Sequence, residues 1–338
     1  MHKAFRNSVT LFVLTTIVST AWSLTHPKEP AGAITAEDLE SVHEPIAPLL
    51  SPDGSKFALL RGGQIFLLPA SGGWPVALTS TPGGKSEIAW SPDSHALAFV
   101  SDGSIWIVPV AGGQPKKLTD GAAGPGDPRA VRDHTPKWNP RGNWILFQSG
   151  RSGQNELWVV SPDGRSKNYL ATTEIYLGPE HLGDQAQNDG DGLAGGLFYP
   201  DPAWSPDGTH LTFTERSREF FAGKLRLVDF DLGTGRPLAA PRELYAAEPD
   251  RGGAWAIDKV SWSPDGKSLA FTLQDTGWDK VYLLSPSGGK PRQLTFGESE
   301  DSTPIFSPDG KSIVIQSNRQ EASKQMCTLF CHTFRVSH

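Results

Sequence analysis

The chain has almost no cysteine, no long run of one charge and no apolar segment long enough for a comfortable membrane span. Its only two cysteines, Cys327 and Cys331, lie near the carboxyl end of the 338 residues. This excludes a disulfide framework, so the fold must be stabilised by its hydrophobic core. The formal net charge of −6 is spread without long runs, so we expect no nucleic-acid partner.

The signatures of a serine nucleophile and of a phosphate loop are also missing. The segments "GRSGQ" (Gly150–Gln154) and "GKSLA" (Gly266–Ala270) come nearest to a G-x-S-x-G elbow, but both lack its final glycine and lie in hairpin contexts. The "GKS" segments that begin at Gly84, Gly266 and Gly310 lack the upstream glycine of a phosphate loop. We therefore expect no catalytic and no cofactor-binding residues in this chain.

Metal ligands are not grouped in a recognisable pattern either. The run "DQAQNDGDG" carries Asp184, Asp189 and Asp191, but it lacks the regular spacing and the later glutamate of a calcium loop. The nine histidines are scattered, and His134 and His181 are interpreted as surface or blade-rim residues. We expect no metal site, and a solvated loop around the three aspartates.

The amino terminus has the pattern of a processed export signal. A basic start is followed by an apolar stretch, Leu11–Ala21, and "AWS" (Ala21–Ser23) places small residues at the −3 and −1 positions of a cleavage site. The apolar stretch is shorter than the roughly 20 residues of a membrane span. We expect a signal peptide over residues 1–23, a periplasmic or secreted protein, and no stable membrane span after cleavage. An uncleaved anchor is the alternative.

The chain is rich in turn formers, and one turn recurs through it. It contains 36 Gly and 28 Pro, which favours short strands and turns over long helices. Segments such as "AWSPDG", "SWSPDG" and "IFSPDG" each place a large apolar residue ahead of a Ser-Pro-Asp-Gly turn. These apolar residues are Leu50, Trp90, Trp138, Trp204, Trp262 and Phe306. The recurrence predicts a repeat architecture with one such corner per unit.

Each repeat has the pattern of four short strands. Alternating apolar residues follow the turn, as with Leu269 and Phe271, and a third strand such as "DKVYLL" leads to a Gly-rich turn and a fourth strand such as "PRQLT". A unit of about 40 residues with four antiparallel strands is typical of a propeller blade. The sequence therefore predicts an all-β protein, a β-propeller of about six four-stranded antiparallel blades whose last blade is incomplete or divergent. We interpret the apolar residue before each turn as packing between blades.

Two intervals between repeats are longer than a minimal unit needs. The step from Trp138 to Trp204 contains an insertion over residues 174–200, and a smaller one over residues 246–257 precedes Trp262. Insertions in a repeat array usually project from one face, where binding occurs. We expect a peptide or protein ligand to bind through these two insertions.

These units resemble the WD40-like repeats shared by the propeller of periplasmic TolB and the amino-terminal propeller of the prolyl oligopeptidase (S9) serine peptidases, including the dipeptidyl peptidase IV branch. The resemblance covers residues 34–319, and the segment Ile34–Leu60 is similar to the start of many bacterial S9 peptidases. It implies a substrate-gating propeller that is not catalytic by itself, because that family places its catalytic residues in a following hydrolase domain. The resemblance to TolB implies a periplasmic protein-interaction propeller as the alternative.

An acidic pair from a propeller insertion holds the substrate amine in dipeptidyl peptidases. This chain has Glu215 and Glu219 at a comparable place but lacks the aromatic-flanked doublet, so the role is not transferred to them. An active peptidase would require a separately encoded hydrolase domain. We expect no peptidase activity from this chain alone.

The segment after the last turn departs from the repeat. Spacing places the third strand of the last unit at "QMCTLF" (Gln325–Phe330), but no Gly-rich turn and no fourth strand follow. A truncated or frameshifted reading frame and a divergent closing strand both explain this. The predicted organisation is thus a signal peptide (1–23), a segment leading into the first repeat (24–45), a WD40-like propeller (46–319) and a divergent or truncated tail (320–338).

Overall fold

A computed structural model describes residues 48–121, 132–150, 156–172, 174–175, 202–217, 223–247, 257–274, 277–319 and 330–335. Every regular element in these ranges is a β-strand, and the strands form six sheets. No helix in the described ranges is long and apolar enough to cross a membrane. The prediction of an all-β fold is confirmed, while the predicted signal peptide lies outside the described residues.

The first three sheets are four-stranded and antiparallel. Their strands follow one another in chain order, so each sheet is a simple meander. Sheet 1 contains β1 (Leu49–Leu50), β2 (Lys56–Arg61), β3 (Gln64–Pro69) and β4 (Val76–Ala77). Sheet 2 contains β5 (Lys85–Trp90), β6 (Ala96–Ser101), β7 (Ser104–Pro109) and β8 (Lys116–Lys117). Sheet 3 contains β9 (Asp133–Trp138), β10 (Ile145–Ser149), β11 (Glu156–Val160) and β12 (Lys167–Thr172).

The last three sheets depart from the predicted four strands in two cases. Sheet 4 has six strands: β13 (Glu174–Ile175), β14 (Ala203–Trp204), β15 (His210–Ser217), β16 (Gly223–Asp231), β17 (Arg236–Pro237) and β18 (Arg242–Ala246). Sheet 5 contains β19 (Ile257–Trp262), β20 (Leu269–Gln274), β21 (Asp279–Leu284) and β22 (Arg292–Gln293). Sheet 6 has three: β23 (Asp301–Phe306), β24 (Ser312–Ser317) and β25 (Phe330–Arg335).

The third strand of sheet 6 is described over Phe330–Arg335. β25 pairs with β24 in a continuous antiparallel register from Ser312 opposite Arg335 to Ser317 opposite Phe330. Of the strand predicted at Gln325–Phe330, only Phe330 lies within the described residues. Sheet 6 has three strands among the described residues, and the divergent last blade stays a prediction.

The recurring corner joins the first and second strands of each sheet, as predicted. In the first copy the Ser51 hydroxyl donates to the Asp53 carboxylate over 2.6 Å and accepts the Lys56 N–H over 3.0 Å. The Gly54 N–H donates to the Ser51 carbonyl over 2.8 Å, and Gly54 has a φ of 71° that favours glycine. The side chains thus satisfy the backbone groups of the corner.

The same serine–aspartate pair also recurs between the third and fourth strands of sheet 3. Hydroxyl-to-carboxylate distances are between 2.5 and 2.7 Å in all the pairs Ser51–Asp53, Ser91–Asp93, Ser161–Asp163, Ser205–Asp207, Ser263–Asp265 and Ser307–Asp309. These bonds favour the charged carboxylate. The pKa of each of these aspartates is lowered, mainly by the serine and a backbone N–H. For Asp207 burial opposes the shift, but hydrogen bonds from Ser205 and Thr209 outweigh it and lower its pKa to about 2.

We expect acid to destabilise the protein steeply below about pH 4. An aspartate whose pKa is lower in the folded state stabilises the fold above its unfolded value of about 3.9, and this contribution is lost as pH falls toward the folded value. Urea unfolding at a series of pH values between 6 and roughly 2 measures the effect. An Asp265→Asn variant should show a shallower pH dependence over the same range. An identical slope in both proteins would contradict this explanation.

The aromatic residue before each corner connects one sheet to the preceding sheet. The indole N–H donates to a carbonyl on the first strand of that sheet, from Trp90 to Leu49 over 2.8 Å and from Trp138 to Ala89 over 3.1 Å. Trp262 does the same to Ala203 over 3.1 Å. Leu49, Ala89 and Ala203 each stand one residue ahead of the equivalent apolar position in their own sheet. The interpretation of the apolar residue before each corner as packing between blades is thus confirmed for the five aromatic residues, whereas Leu50 of sheet 1 is exposed.

Buried apolar clusters fill the space between consecutive sheets. Trp90, Leu97 and Phe99 of sheet 2 pack against Ala58 and Ile65 of sheet 1. Equivalent clusters join sheets 2 and 3, 3 and 4, 4 and 5, and 5 and 6. Among the described residues, sheets 2 to 5 are thus each packed between two neighbouring sheets, as in other repeat folds.

Candidate functional site

Each sheet has two ends, which differ in the connections between strands that lie there. The corners between the first and second strands, and the turns between the third and fourth, lie at one end, which we call the turn face. The hairpins between the second and third strands, and the links to the next sheet, lie at the opposite end, the loop face. Both predicted insertions, 174–200 and 246–257, connect the last strands of one sheet to the first strand of the next. Their described ends, residues 174–175, 246–247 and 257, therefore lie toward the loop face, and the remaining residues of both insertions lie outside the described residues.

The first two residues of the longer insertion pair with a strand of sheet 4, the sheet that follows the insertion in the chain. Glu174 and Ile175 form β13, which pairs in parallel with Arg216 and Ser217 at the loop-face end of β15. β14 pairs with β15 further along, opposite Leu211 and Thr212. The first two residues of the insertion thus help to build the edge of sheet 4. The rest of the insertion, including the acidic run and His181, lies outside the described residues, and so does Glu219.

Four first strands contain a bulge close to the loop face. Each bulge has a non-glycine residue with positive φ: 49° at Glu87, 53° at Thr135, 50° at Lys259 and 53° at Thr303. The pairing with the second strand shifts register at each of these places. Such a conformation costs about 1–3 kcal/mol and is found mainly where a side chain is re-aimed, often at functional sites. The four residues occupy equivalent positions in sheets 2, 3, 5 and 6.

Side chains satisfy the exposed backbone groups of three bulges. The Glu87 carboxylate of sheet 2 accepts the Thr135 N–H of sheet 3. The Thr272 hydroxyl of sheet 5 accepts the Thr303 N–H of sheet 6 over 3.3 Å. The Lys259 N–H instead donates to its neighbour Asp258 over 2.8 Å. Two of these contacts therefore connect neighbouring sheets, and the bulge residues include both signs of charge.

His134 lies next to one of these bulges, partly buried near the loop-face end of β9. Burial lowers its pKa to about 4, although the neighbouring Asp133 carboxylate acts in the opposite direction. Its Nδ1 lies 2.8 Å from the Thr135 hydroxyl oxygen. His134 is thus a neutral hydrogen-bonding residue on a first strand near pH 7. Sequence reasoning missed it because nothing in the local pattern distinguishes a first-strand bulge from a surface loop.

Carboxylates gather at the loop-face end of sheets 5 and 6. Burial raises the pKa of Asp279, and the nearby Glu300 and Asp258 carboxylates raise it further. The Asp279 N–H donates to Glu300 over 2.7 Å, and the Glu300 N–H donates to Asn318 over 2.8 Å. This part of the loop face is locally negative beside the exposed ammonium group of Lys259.

A buried charge network, formed by Lys280, Ser299, Asp301, Ser317 and Arg319, holds these two sheets together. The Lys280 ammonium lies 3.4 Å from the Asp301 carboxylate and also donates to the Ser299 carbonyl. Arg319 donates to the same carboxylate over 2.7 Å, and the Ser317 hydroxyl donates to it over 2.6 Å. Burial opposes ionisation of Asp301, but these donors outweigh it and lower its pKa. The network fixes the link between sheets 5 and 6.

A buried lysine fixes the corresponding link between sheets 1 and 2. Lys85, at the start of β5, donates to the carbonyls of Thr81, Pro82 and Gly83 over 2.5, 2.9 and 2.5 Å. A buried ammonium group needs such a set of acceptors. Buried charged groups thus stabilise the links between sheets 1 and 2 and between sheets 5 and 6, which lie at the loop face.

Two candidates considered from the sequence have structural roles. Glu215 forms a bidentate ion pair with Arg226, with N–O distances of 3.0 and 3.1 Å, so its carboxylate is already engaged. Ser268, in the segment that most nearly resembled a nucleophile elbow within the described ranges, follows the corner of sheet 5, where its N–H donates to Ser263. Within the described ranges no group of three or more His, Cys, Asp or Glu residues has a geometry that could hold a metal ion.

Comparison with known proteins agrees with this architecture. Residues 198–328 match the TolB beta propeller domain family. The chain is 31% identical over 179 residues to the protein TolB homolog of Chlorobium chlorochromatii, covering 53% of this chain and 32% of that protein. It is 27% identical over 189 residues to dipeptidyl-peptidase 5 of Aspergillus fumigatus, covering 53% of this chain and 23% of that one.

The chain matches about a third of the length of the TolB homologs and less of the peptidase. Among solved structures, a puromycin-hydrolyzing peptidase of Mycobacterium tuberculosis has a TM-score of 0.53 at 16% identity, covering 84% of this chain and 42% of that chain. This likeness shows the fold alone. The resemblance drawn from the sequence is confirmed as a similarity: the chain has the β-propeller fold and is similar in sequence to a TolB homolog and to dipeptidyl-peptidase 5.

Proposed function

We propose that this chain is an exported β-propeller that binds peptide segments of other proteins through its loop face and is not catalytic by itself. The observation that carries the proposal is the set of bulged first strands at Glu87, Thr135, Lys259 and Thr303, close to the face where the described ends of both insertions lie. Energetically costly backbone at equivalent places in four sheets favours a functional surface. The amino-terminal signal pattern supports export to the periplasm or beyond the cell.

The charges of the loop face favour a peptide with both a basic and an acidic group. The carboxylates of Asp258, Asp279 and Glu300 would attract a cationic side chain or a terminal amine, and the adjacent Lys259 would pair with a carboxylate. An extended peptide that carries one basic and one acidic group exposes both, so the carboxylates and Lys259 would each bind one of them. Nucleic acid, with one sign of charge, fits this set of charges poorly.

Peptide selection followed by charge reversal tests the proposal. A random peptide library displayed on phage is selected against the purified chain, and the affinity of an enriched synthetic peptide is measured by fluorescence anisotropy. Lys259→Glu, on the loop face, should weaken binding by about tenfold or more, which corresponds to about 1.4 kcal/mol. Lys267→Glu, an equivalent change at an exposed corner of the turn face, should change the affinity less than about twofold. Equal effects of the two changes, or no enriched peptide, would contradict the proposal.

A second candidate is the substrate-gating propeller of a peptidase whose hydrolase domain is a separate polypeptide. The match to dipeptidyl-peptidase 5 favours it. The two candidates differ in a simple assay. The chain alone should neither hydrolyse proline-linked chromogenic peptides nor react with a fluorophosphonate probe. Restoration of hydrolysis on mixing with a separately expressed hydrolase domain of an S9 peptidase would favour the second candidate over the first.

A further inference from the structure

Two exposed aromatic residues stand at the loop-face end of β21. Trp278, directly before the first residue of β21, is 38% exposed, and Phe296, in the link from sheet 5 to sheet 6, is 64% exposed. The link runs beside this end of the strand, because the Thr295 hydroxyl accepts the Val281 N–H over 3.0 Å and the Leu294 N–H donates to the Val281 carbonyl over 2.8 Å. Both aromatic residues therefore lie toward the loop face of sheet 5.

The fold does not require an aromatic residue at the position of Phe296. The hydrogen bond to the preceding threonine recurs in sheets 1 and 2, where the hydroxyls of Thr79 and Thr119 each accept an N–H of the third strand over 3.0 Å. The residues that follow these threonines are Ser80 and Asp120, which are polar and exposed. The repeat thus accepts a polar side chain at this place, and the exposed phenyl ring of sheet 5 favours a role in binding.

Hydrogen bonds fix the backbone that carries this ring. The Arg319 guanidinium donates to the Phe296 carbonyl over 3.0 Å, and the Gln293 side-chain amide donates to the Thr295 carbonyl over 2.8 Å. Arg319 is in turn held by the Asp301 carboxylate. A partner that packs on the ring would therefore order little additional backbone, which lowers the entropic cost of binding. Aromatic side chains are also enriched in the buried centres of protein interfaces.

Negative charge lies beside the two rings. Asp279 directly follows Trp278, and its N–H donates to the Glu300 carboxylate over 2.7 Å. The carboxylates of Glu300 and Asp258 add to the effect of burial in raising the pKa of Asp279, so the three groups lie close enough to act on one another. Glu298 is exposed in the same link. These four carboxylates favour a cationic partner.

The nearby cations leave this surface negative. Lys280 and Arg319 share the single carboxylate of Asp301, so that group has one positive charge in excess. Together with the exposed ammonium group of Lys259, it offsets only two of the four carboxylates. The surface therefore complements a group that is positively charged and can also pack on aromatic rings.

We propose that Trp278, Phe296 and the neighbouring carboxylates bind an arginine side chain of the partner peptide. A guanidinium group can stack on an aromatic ring with its plane while its N–H groups donate to carboxylates, whereas the ammonium group of lysine is a compact and more strongly hydrated charge. The proposal rests on the peptide binding proposed for the loop face, and it names arginine as the basic group that sheet 5 selects.

Titration with single amino-acid derivatives tests this site without a selected peptide. Nα-acetyl-arginine amide is added to the isotope-labelled chain, and NMR follows the indole N–H signals of its 11 tryptophans. The signals of Trp278 and Trp74 are assigned by their loss in Trp278→Phe and Trp74→Phe. The Trp278 signal should shift in a saturable way, and Phe296→Ala should weaken this binding about threefold or more. Trp74, 47% exposed on the turn face of sheet 1, is the internal control and should not shift.

Two further derivatives separate the parts of the recognition. Nα-acetyl-citrulline amide has nearly the same shape as the arginine derivative but no charge, and it should produce no saturable shift. Nα-acetyl-lysine amide keeps the charge and should bind about threefold or more weakly. Equal shifts with the arginine and citrulline derivatives would overturn the proposal. A Trp278 signal that does not move would also overturn it, and this is the result expected if another segment of this chain occupies the site.

The arginine site and the peptide binding can fail separately. A selected peptide whose affinity falls with Lys259→Glu but is unchanged by Trp278→Ala and Phe296→Ala would overturn the arginine site and leave peptide binding at the loop face intact. An arginine-specific shift of Trp278 without any enriched peptide would support the site and contradict the peptide binding.

Discussion

Replacing Asp301 with asparagine is expected to lower the free energy of unfolding by about 3–5 kcal/mol, because it breaks a buried ion pair and leaves a cation without its counter-charge. The Asp301 side chain is fully buried and that of Lys280 is 2% exposed. The lost carboxylate also serves Arg319 and the Ser317 hydroxyl. Urea unfolding at neutral pH measures the change.

An identical substitution at the surface is the control for this prediction. Asp120 pairs with Lys117 over 3.5 Å, and its side chain is 94% exposed. Asp120→Asn should change the free energy of unfolding by less than about 1 kcal/mol. Lys280→Met and Asp301→Asn together should cost less than the sum of the two single changes, since both remove the same pair. A loss below about 1 kcal/mol for Asp301→Asn would show that the buried charge network does not stabilise the link between sheets 5 and 6.

Truncation of Trp262 to alanine is expected to cost about 3–5 kcal/mol, the usual loss for a large aromatic residue in a packed interface. Trp262 packs against the cluster between sheets 4 and 5. Its indole N–H donates to the Ala203 carbonyl and to the Thr212 hydroxyl, both over 3.1 Å. Trp262→Phe keeps much of the apolar contact but leaves these two acceptors without their donor, which should cost about 1–3 kcal/mol.

Trp204, the equivalent tryptophan of sheet 4, distinguishes the energy of the indole hydrogen bond from the energy of ring packing. The Trp204 indole nitrogen is buried and has no hydrogen-bond partner among the described residues. Its ring packs edge-on against Phe230, with centroids 4.9 Å apart. Trp204→Phe should therefore destabilise the protein clearly less than Trp262→Phe, as measured by urea unfolding of both variants. Equal losses would mean that ring volume, and not the indole hydrogen bond, accounts for the effect at both positions.

The local rules of the repeat could be predicted from the sequence because each depends on nearby residues. The Ser-Pro-Asp-Gly corner and the alternation after it fix a hairpin, and the aromatic residue ahead of the corner points to a contact between sheets. Structure adds the reason for the serine and the aspartate, which hydrogen-bond to each other and to the backbone of the corner. The general fold followed from the repetition of this one unit.

Features that depend on distant residues could not be predicted in this way. The bulges at Glu87, Thr135, Lys259 and Thr303 have positive φ without glycine, so no residue type marks them. The buried charge network joins residues from 280 to 319, and a spacing pattern does not reveal which charges will be buried together.

The extra strands of sheet 4 were missed for a related reason. β13 is two residues long and pairs in parallel with a strand some forty positions later, which no local alternation indicates. β17 and β18 both pair with β16, so one long third strand has two short partner strands. A repeat model that assigns four strands to every unit cannot anticipate either pairing.

Amide hydrogen exchange with and without a selected peptide tests the central claim, that the loop face of this propeller is its binding surface. Binding should slow exchange at the first-strand bulges, including the N–H groups of Glu87, Lys259 and Thr303, and leave the corners at Gly54 and Gly266 unchanged. Slower exchange at those corners, with the bulges unaffected by the bound peptide, would contradict the claim.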